Sequence, residues 1–332
     1  MFTRSMPKLK LVSIITPCYN MEKYIGRLLE SVLNQDYPLI EMLVIDDGSI
    51  DNSSIVVKQF IPKFSEKGYS LEYLYQDNQG QSVAINNALK WVKGEYLLWP
   101  DSDDYYNRKD AVSCLVNHFY ELPDNYGMIR TVPKYVDENS LDEVTTNIHF
   151  DYDENQFENA LYNNNFAWAG YMVRVNALDK TIEDREIFTH KRAGQNWQIV
   201  LPILYNYKCH TLNESIISVL VRNNSHSRQS YQSEVRSLEL IDAYESTIIH
   251  TLDAIKEMRS DVASEYKRYI TLQHAHQRLM ISCYFGDKYK AKEHKETIKV
   301  LGGNLSLWER IKYVLLLINL YPLNRINDCS VG

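Results

Sequence analysis

Two acidic clusters stand where short apolar runs stop, and that placement limits what this chain can fold into. Glu41 to Ile45 is a β-rich run that ends abruptly in Asp46-Asp47-Gly48-Ser49. Glu95 to Trp99 is another, stopped by Pro100, with Asp101-Ser102-Asp103-Asp104 just beyond it. Leu11 to Thr16 and Leu71 to Tyr75 are two further runs of the same kind. Segments of helical spacing lie between them. Glu22 to Asn34 places Tyr24, Ile25, Leu28, Leu29, Val32 and Leu33 at helical intervals, and Gln81 to Lys93 does the same with Val83, Ala84, Ala88 and Leu89. Asp51 can cap a third helix, which Pro62 is expected to stop near Ile61. This alternation predicts an α/β fold, a parallel sheet with crossover helices. Ligands in such sheets bind beyond the carboxyl ends of the strands, where both acidic clusters fall.

The rest of the chain reads differently. Residues 121–165 are polar and turn-rich and are expected to form surface loops. Residues 166–222 read as mixed strand and helix, with an amphipathic stretch at Trp197 to Tyr205. From Ser233 onward the pattern is nearly continuous helix, with no glycine between Gly194 and Gly286 or between Gly286 and Gly302. A boundary is therefore expected near Ser225 to Ser233, dividing a domain of residues 1–230 from a C-terminal helical bundle of residues 231–332. A chain of 332 residues suffices for one large domain and such an appendage.

Composition excludes more than it identifies. A net charge of -7 argues against broad electrostatic binding of nucleic acid. The 5 cysteines are odd in number and widely spaced, which fits a reducing cytoplasm better than a disulfide or zinc framework. Arg4, Lys8 and Lys10 precede an apolar run too short for a signal peptide. The 25 tyrosines suit contacts with sugars, or simply replace phenylalanine.

Each motif has a chemical and a plain reading. Three carboxylates within Asp101 to Asp104 repel one another unless a cation sits among them, and hard oxygen ligands suit Mg²⁺ or Mn²⁺. The plain reading is an acidic turn before the next helix. Asp46 and Asp47 can accept from a base N–H or a ribose hydroxyl, or belong to an ordinary turn. In Thr16-Pro17-Cys18-Tyr19-Asn20, Pro17 is expected to end the strand and the Tyr19 ring to face a planar base; the alternative is a capped turn at Asn20.

Taken together, Thr16 to Asn20, Asp46 to Ser49, Asn78-Gln79-Gly80-Gln81-Ser82 and Asp101 to Asp104 resemble, in order and spacing, the nucleotide-binding half of family 2 glycosyltransferases with the GT-A fold. The resemblance covers roughly residues 10–230 and is strong over 10–105, the nucleotide-binding half; residues 106–230 would form the acceptor half. It implies a metal-assisted transfer, with Mn²⁺ or Mg²⁺, of a hexose from a nucleotide diphosphate sugar, by preference a uridine diphosphate hexose, with inversion. Thr16 and Asp47 would meet the base, with Asp46 supporting that loop, and Pro17, Tyr19 and Asn78 would be among the nucleotide-binding residues. Gln81, Ser82 and Asn86 would line the nucleotide or sugar, Asp101 and Ser102 would lie near the ribose or sugar, and Asp103 and Asp104 would hold the metal. The arginine usual after the Gly-x-Ser segment is replaced by Ala84-Ile85-Asn86.

The second half departs further. Where the family often carries a Glu-Asp pair whose carboxylate takes the acceptor's proton, the matching residues are Gln195 and Asn196, and an amide accepts no proton at neutral pH. Asp184 and Glu186 are candidates for a displaced base, or an exposed acidic loop. Phe166 to Arg174 resembles the acceptor-side strand, with Trp168 stacking on a sugar or packing in the core. Arg222 and His226 occupy a loop resembling the one that closes over the diphosphate.

Two rival classes remain. A nucleotidyltransferase usually carries a glycine-rich loop after its first strand, where this chain has Thr-Pro-Cys-Tyr-Asn. A non-catalytic sugar-nucleotide or glycan-binding protein would tolerate the missing acids. The acceptor would be a glycan, a protein or a lipid-linked sugar. Ile311 to Leu320 is about half the ~20 apolar residues a membrane span needs. Trp308 to Tyr321 is expected either to pack on its own bundle or to dock at a membrane surface or a partner enzyme.

Overall fold

A computed structural model describes residues 9–145, 150–163, 166, 168–222 and 233–320. Strand β1 (Val12–Cys18) is buried at every position, which suits a strand flanked on both sides and covered on both faces. It pairs in parallel with β2 (Ile40–Asp47) and with β4 (Tyr96–Leu98), and β2 pairs in parallel with β3 (Ser70–Gln76). The crossovers are α1 (Ile25–Leu33), α2 (Ser53–Lys67) and α3 (Gln81–Leu89). Helix α1 buries Ile25, Leu28, Leu29 and Val32, the stripe its sequence spacing predicts.

Beyond β4 come β5 (Tyr105–Tyr106), α4 (Ala111–Glu121), β6 (Tyr126–Thr131), β7 (Lys134–Asp137), α5 (Phe157–Leu161), β8 (Tyr171–Arg174), α6 (Val175–Thr181), α7 (Asn196–Asn206), β9 (Lys208–Leu212) and β10 (Ile217–Val221). The large sheet has seven strands in the order β3-β2-β1-β4-β8-β6-β9. Only β8 runs antiparallel to its neighbours, so β6 points the same way as β4. A smaller sheet has the order β5-β10-β7. The expected α/β architecture with a mostly parallel sheet is therefore present.

Three local expectations are corrected. Pro17 does not end β1, because the ladder continues through Pro17↔Ile45 to Cys18↔Asp46. Pro62 does not stop α2, which runs on to Lys67 before Gly68 ends it in the left-handed region. The carbonyl that Pro62 leaves without an N–H belongs to Lys58, on the exposed side of the helix, while Phe60 and Phe64 hold the other side in the core. Residues 121–165 are not surface loops alone, since they supply β6, buried along its whole length. Glycine at 127 and arginine at 130 disguise that strand. A Cβ on Gly127 would stand 2.7 Å from Tyr207 Cβ.

The described residues divide into two compact units: 9–222 with Ala254–Glu257, and 233–253 with 258–320. In the second, α8 (Glu234–Ala254), α9 (Ser260–Phe285), α10 (Lys288–Val300) and α11 (Leu307–Leu317) account for nearly all the described residues. Gly286 ends α9 in the left-handed region, and the Asp287 carboxylate caps α10 by accepting from the backbone of Tyr289 and Lys290. Ser306 and Glu309 form a capping box at the start of α11. Leu279, Cys283, Ala291, Ile298, Tyr313 and Leu316 make its core. Burying a side chain the size of Leu316 contributes about 1.5–3 kcal/mol.

Candidate active site

The carboxyl ends of β1 to β4 form one rim, and hydrogen bonds tie the loops there to one another. The backbone N–H of Asn20 donates to Ser49 Oγ at 2.9 Å, and that of Ile50 donates to Asn20 Oδ1 at 2.9 Å. Asn20 takes a φ of 54°, a left-handed conformation that asparagine tolerates. Ser53 Oγ and Asp51 Oδ2 accept from the backbone of Met21 and Glu22. These braces hold Thr16 and Tyr19 in place. Thr16 Oγ1 is buried with no partner among the described residues, and the Tyr19 ring is exposed.

Asp46 and Asp47 organise the second loop. Asp46 accepts from Ser49 N at 2.7 Å and from the Tyr73 hydroxyl at 2.7 Å. Asp47 Oδ1 accepts from Gln76 Nε2 and Gln79 N, and Oδ2 accepts from Gly80 N at 2.8 Å. Asn78 Nδ2 closes the arrangement on the Asp47 carbonyl at 2.9 Å. Asp47 is thus the anchor of the β3–α3 loop, a role its motif did not reveal. Gly48 is required there, because its φ is 81° and a Cβ would lie 2.8 Å from Asn78 N.

Helix α3 carries one residue to the acidic turn and two elsewhere. Gln81 Nε2 donates to Asp101 Oδ1 at 3.0 Å. Ser82 Oγ instead donates to the His190 carbonyl and accepts from His190 N, each at 2.9 Å, and Asn86 Oδ1 accepts from Ile187 N at 2.8 Å. Ser82 and Asn86 therefore fasten the segment before α7.

Asp101 to Asp104 form a tight turn closed by Asp104 N donating to the Asp101 carbonyl at 3.1 Å. Ser102 and Asp104 are buried. Burial, and then the charge of Asp103, pushes the Asp101 carboxyl up to about 7. Burial and the charges of Asp103 and Asp101 hold Asp104 well above the usual carboxylate range. Asp104 Oδ1 accepts from Leu220 N at 3.3 Å, and Arg222 meets Asp103 at 2.6 Å from the end of β10. The Arg222 guanidinium also lies 5.0 Å over the Tyr24 ring, and the Tyr24 hydroxyl donates to Glu138 at 3.0 Å. Among the described residues no three His, Cys, Asp or Glu side chains converge as a ready cation site. The donor set nevertheless fits Mg²⁺ or Mn²⁺, which are commonly held by one or two carboxylates plus substrate phosphates. Carboxylates this costly to ionise are also the groups that a cation relieves.

Trp99, Tyr106, Trp168 and Tyr171 line a cavity together with Asp101 and Asp104. Asn196 Oδ1 accepts from Trp99 Nε1 at 3.0 Å and from the Tyr171 hydroxyl at 2.6 Å, so its side chain braces two wall residues. Gln195 is buried beside Asp101, with Oε1 unpartnered among the described residues. Trp168 donates to Asn163 Oδ1 at 2.6 Å and stands edge-on to Trp197. Asp184 does not reach the site. It is exposed on a single 3-10 turn (Glu183–Arg185), and Arg185 bonds the carbonyls of Leu89 and Val92 past the far end of α3. His226 lies outside the described residues. Trp99, Tyr171, Tyr24 and Glu138 were assigned no role at the site from the sequence, where nothing distinguishes them from core aromatics and surface acids.

The family model described as glycosyl transferase family 2 matches residues 13–181, half of the chain. Glycosyltransferase GlyA of Streptococcus pneumoniae is 36% identical over 129 residues, 35% of this chain and 18% of GlyA. The poly(ribitol-phosphate) beta-N-acetylglucosaminyltransferase TarS of Staphylococcus aureus is 38% identical over 115 residues, 33% of this chain and 20% of TarS. The chain thus spans about a fifth of the length of these curated relatives. Among solved structures, S. aureus TarS 1-349 in complex with UDP-GlcNAc superposes with a TM-score of 0.59 at 18% identity, covering 94% of this chain and 93% of that one. The mannosyltransferase PcManGT of Pyrobaculum calidifontis, in complex with GDP-Man and Mn2+, superposes at 0.52 with 15% identity, covering 93% of this chain and 84% of that one.

Proposed function

The chain belongs to glycosyl transferase family 2, and from that membership we propose that it is an enzyme moving a hexose from a uridine diphosphate hexose to an acceptor hydroxyl, with inversion. The observation that carries this is the buried acidic turn Asp101 to Asp104 at the strand rim, beside Arg222. Tyr19 and the loop anchored by Asp47 offer a flat, braced bed for the base. Asp103 and Asp104 would hold Mn²⁺ or Mg²⁺. The ion, when bound, supplies positive charge to the leaving diphosphate. Arg222 is placed to share that task, since a guanidinium can exchange one carboxylate for phosphate oxygens. Trp168 would meet an acceptor sugar, and the buried, Asn196-braced pair Trp99 and Tyr171 belongs to the same lining. The acceptor would be a glycan, a protein or a lipid-linked sugar, and the reaction would take place in the cytoplasm.

The test is a nucleotide-release assay with a panel of sugar nucleotides and Mn²⁺, with and without acceptor. Release from a uridine diphosphate hexose, lost in Asp103→Ala, supports the reading; undiminished release in excess chelator sinks its metal-assisted part. One observation favours a second reading. Gln195 and Asn196 supply amides where a proton acceptor is expected, which suits a protein that binds the donor without turning it over. Tight donor binding with no release in any acceptor condition would establish that alternative.

A further inference from the structure

Helix α11 has two faces of opposite fate. Tyr313 and Leu316 are buried in the core of the helical unit. Leu307, Trp308, Ile311, Val314 and Leu317 are exposed, followed by Ile318 and Leu320; Leu307 is 76% exposed and Trp308 60%. Leu307, Ile311, Val314 and Ile318 recur at helical spacing, so this is one stripe and not a scatter of single residues.

Ammonium groups rim that stripe. Lys312 Nζ lies 5.2 Å over the Trp308 ring, Lys295 Nζ lies 4.7 Å over the Tyr313 ring, and Lys288 Nζ donates to the Leu317 carbonyl at 2.8 Å. Lys292 and Lys299 are exposed on α10. Between Lys288 and Leu317 the sequence carries seven basic residues and three acidic ones, in a chain whose net charge is -7. One of those acids, Glu309, is engaged by its capping box and by His276 at 2.7 Å. A positive, apolar strip on an otherwise negative chain is complementary to a negatively charged apolar boundary. We propose that the exposed face of α11 lies on an anionic lipid surface, with its apolar side chains in the headgroup boundary and the α10 and α11 lysines on the lipid phosphates. No helix of the described residues is long and apolar enough to cross a membrane, so the contact is superficial. Long lysine stems suit it, because they run along apolar surface while keeping the charge among the headgroups.

Removing α11 is the wrong test, since Tyr313 and Leu316 belong to the core. The full chain is instead sedimented with phosphatidylcholine vesicles and with vesicles containing about one-third phosphatidylglycerol, at low salt and at about 0.5 M salt. The expected result is partition onto the anionic vesicles alone, lost at high salt. Trp308→Gln/Val314→Gln is expected to weaken it about tenfold or more, and Lys292→Gln/Lys299→Gln severalfold. Circular dichroism and sugar-nucleotide binding by the first unit should stay unchanged in both variants, which separates this proposal from the glycosyltransferase reading. Equal binding to neutral vesicles, no binding to either kind, or unaltered binding by the Trp308→Gln/Val314→Gln variant overturns it. So does a dimer in sedimentation velocity that this variant dissolves, since a second copy would then cover the stripe.

Discussion

Arg222 and Asp103 are each mostly shielded from solvent, and their pairing places an internal cation at the position proposed for the divalent ion. On that proposal the two cations would compete. We expect Arg222→Gln to lower the stability of the metal-free protein by roughly 2 kcal/mol, less than the ~3–5 kcal/mol of a fully buried pair. The same variant should bind Mn²⁺ about fivefold more tightly without nucleotide, because a nearby positive charge is gone. Chemical denaturation and titration calorimetry read the two effects; an unchanged Mn²⁺ affinity would show that the guanidinium and the ion do not contend for one place. Asp47 makes a different case. Its carboxylate accepts from Gln76, Gln79 and Gly80, so Asp47→Ala should cost about 3 kcal/mol of stability and weaken sugar-nucleotide binding as well, whereas Asp47→Asn should lose less of both. A variant that lost affinity at full stability would return Asp47 to a purely ligand-facing role. The position of Asp47 at the rim was legible because the β-rich run stops at an acidic pair followed by Gly48. Its partners were not, because the chain brings Gln79 and Gly80 back across the sheet from some thirty residues away. The bonds of Ser82 and Asn86 were hidden for the same reason: which side of a helix meets the His190 segment is a tertiary fact, and helical periodicity carries no trace of it.

At the scale of elements, the first four strands and three helices were legible because short β-rich apolar runs alternate with segments of helical spacing. Later elements were not, and the physical causes are specific. Strand β6 is interrupted as an apolar run by Gly127 and by an arginine that is wholly buried between Thr211, the Asp151 carbonyl and the Phe166 ring. Helix α7 reads as amphipathic in sequence, but Gln198 to Leu204 are buried without interruption. The proline rule failed at α2 because the missing hydrogen bond falls on the solvent side, where water can satisfy the freed carbonyl, while Phe64 secures the turn beyond it. Continuation across Pro62 still has an energetic cost. Pro62→Ala should restore the bond to the Lys58 carbonyl and raise stability by about 1–3 kcal/mol, visible as a higher melting temperature with no change in sugar-nucleotide affinity. A neutral or destabilising result would mean that proline's restriction of the unfolded chain matters more here than the lost bond.

Among the described residues, Asp101 in the first compact unit and His274 in the second respond to pH in opposite senses. Asp101, in the first unit, has its carboxyl pushed by burial and by Asp103 to about 7, so folding favours the protonated form. Its favourable contribution is complete below the ordinary carboxylate range and is lost as pH rises through about 7. His274, in the second unit, is buried on α9 and bonded through Nδ1 to the Ile270 carbonyl at 2.8 Å, and burial holds it below its ordinary 6.5. Folding there favours the neutral ring, so its contribution is present above 6.5 and is lost as pH falls through the lowered value. Between about pH 7.5 and about pH 5.5 the first unit of the metal-free protein should therefore gain stability from Asp101 while the second loses it through His274. Calorimetric scans should show two contributions that move in opposite directions. Saturating Mn²⁺ should reduce the response of the first unit alone, since the ion relieves the same repulsion that protonation does, and His274→Gln should reduce that of the second alone, where His294 is also held low by burial. If both contributions shift together, or if Mn²⁺ leaves the pH response untouched, then the acidic turn is not the place where the first unit takes up its proton.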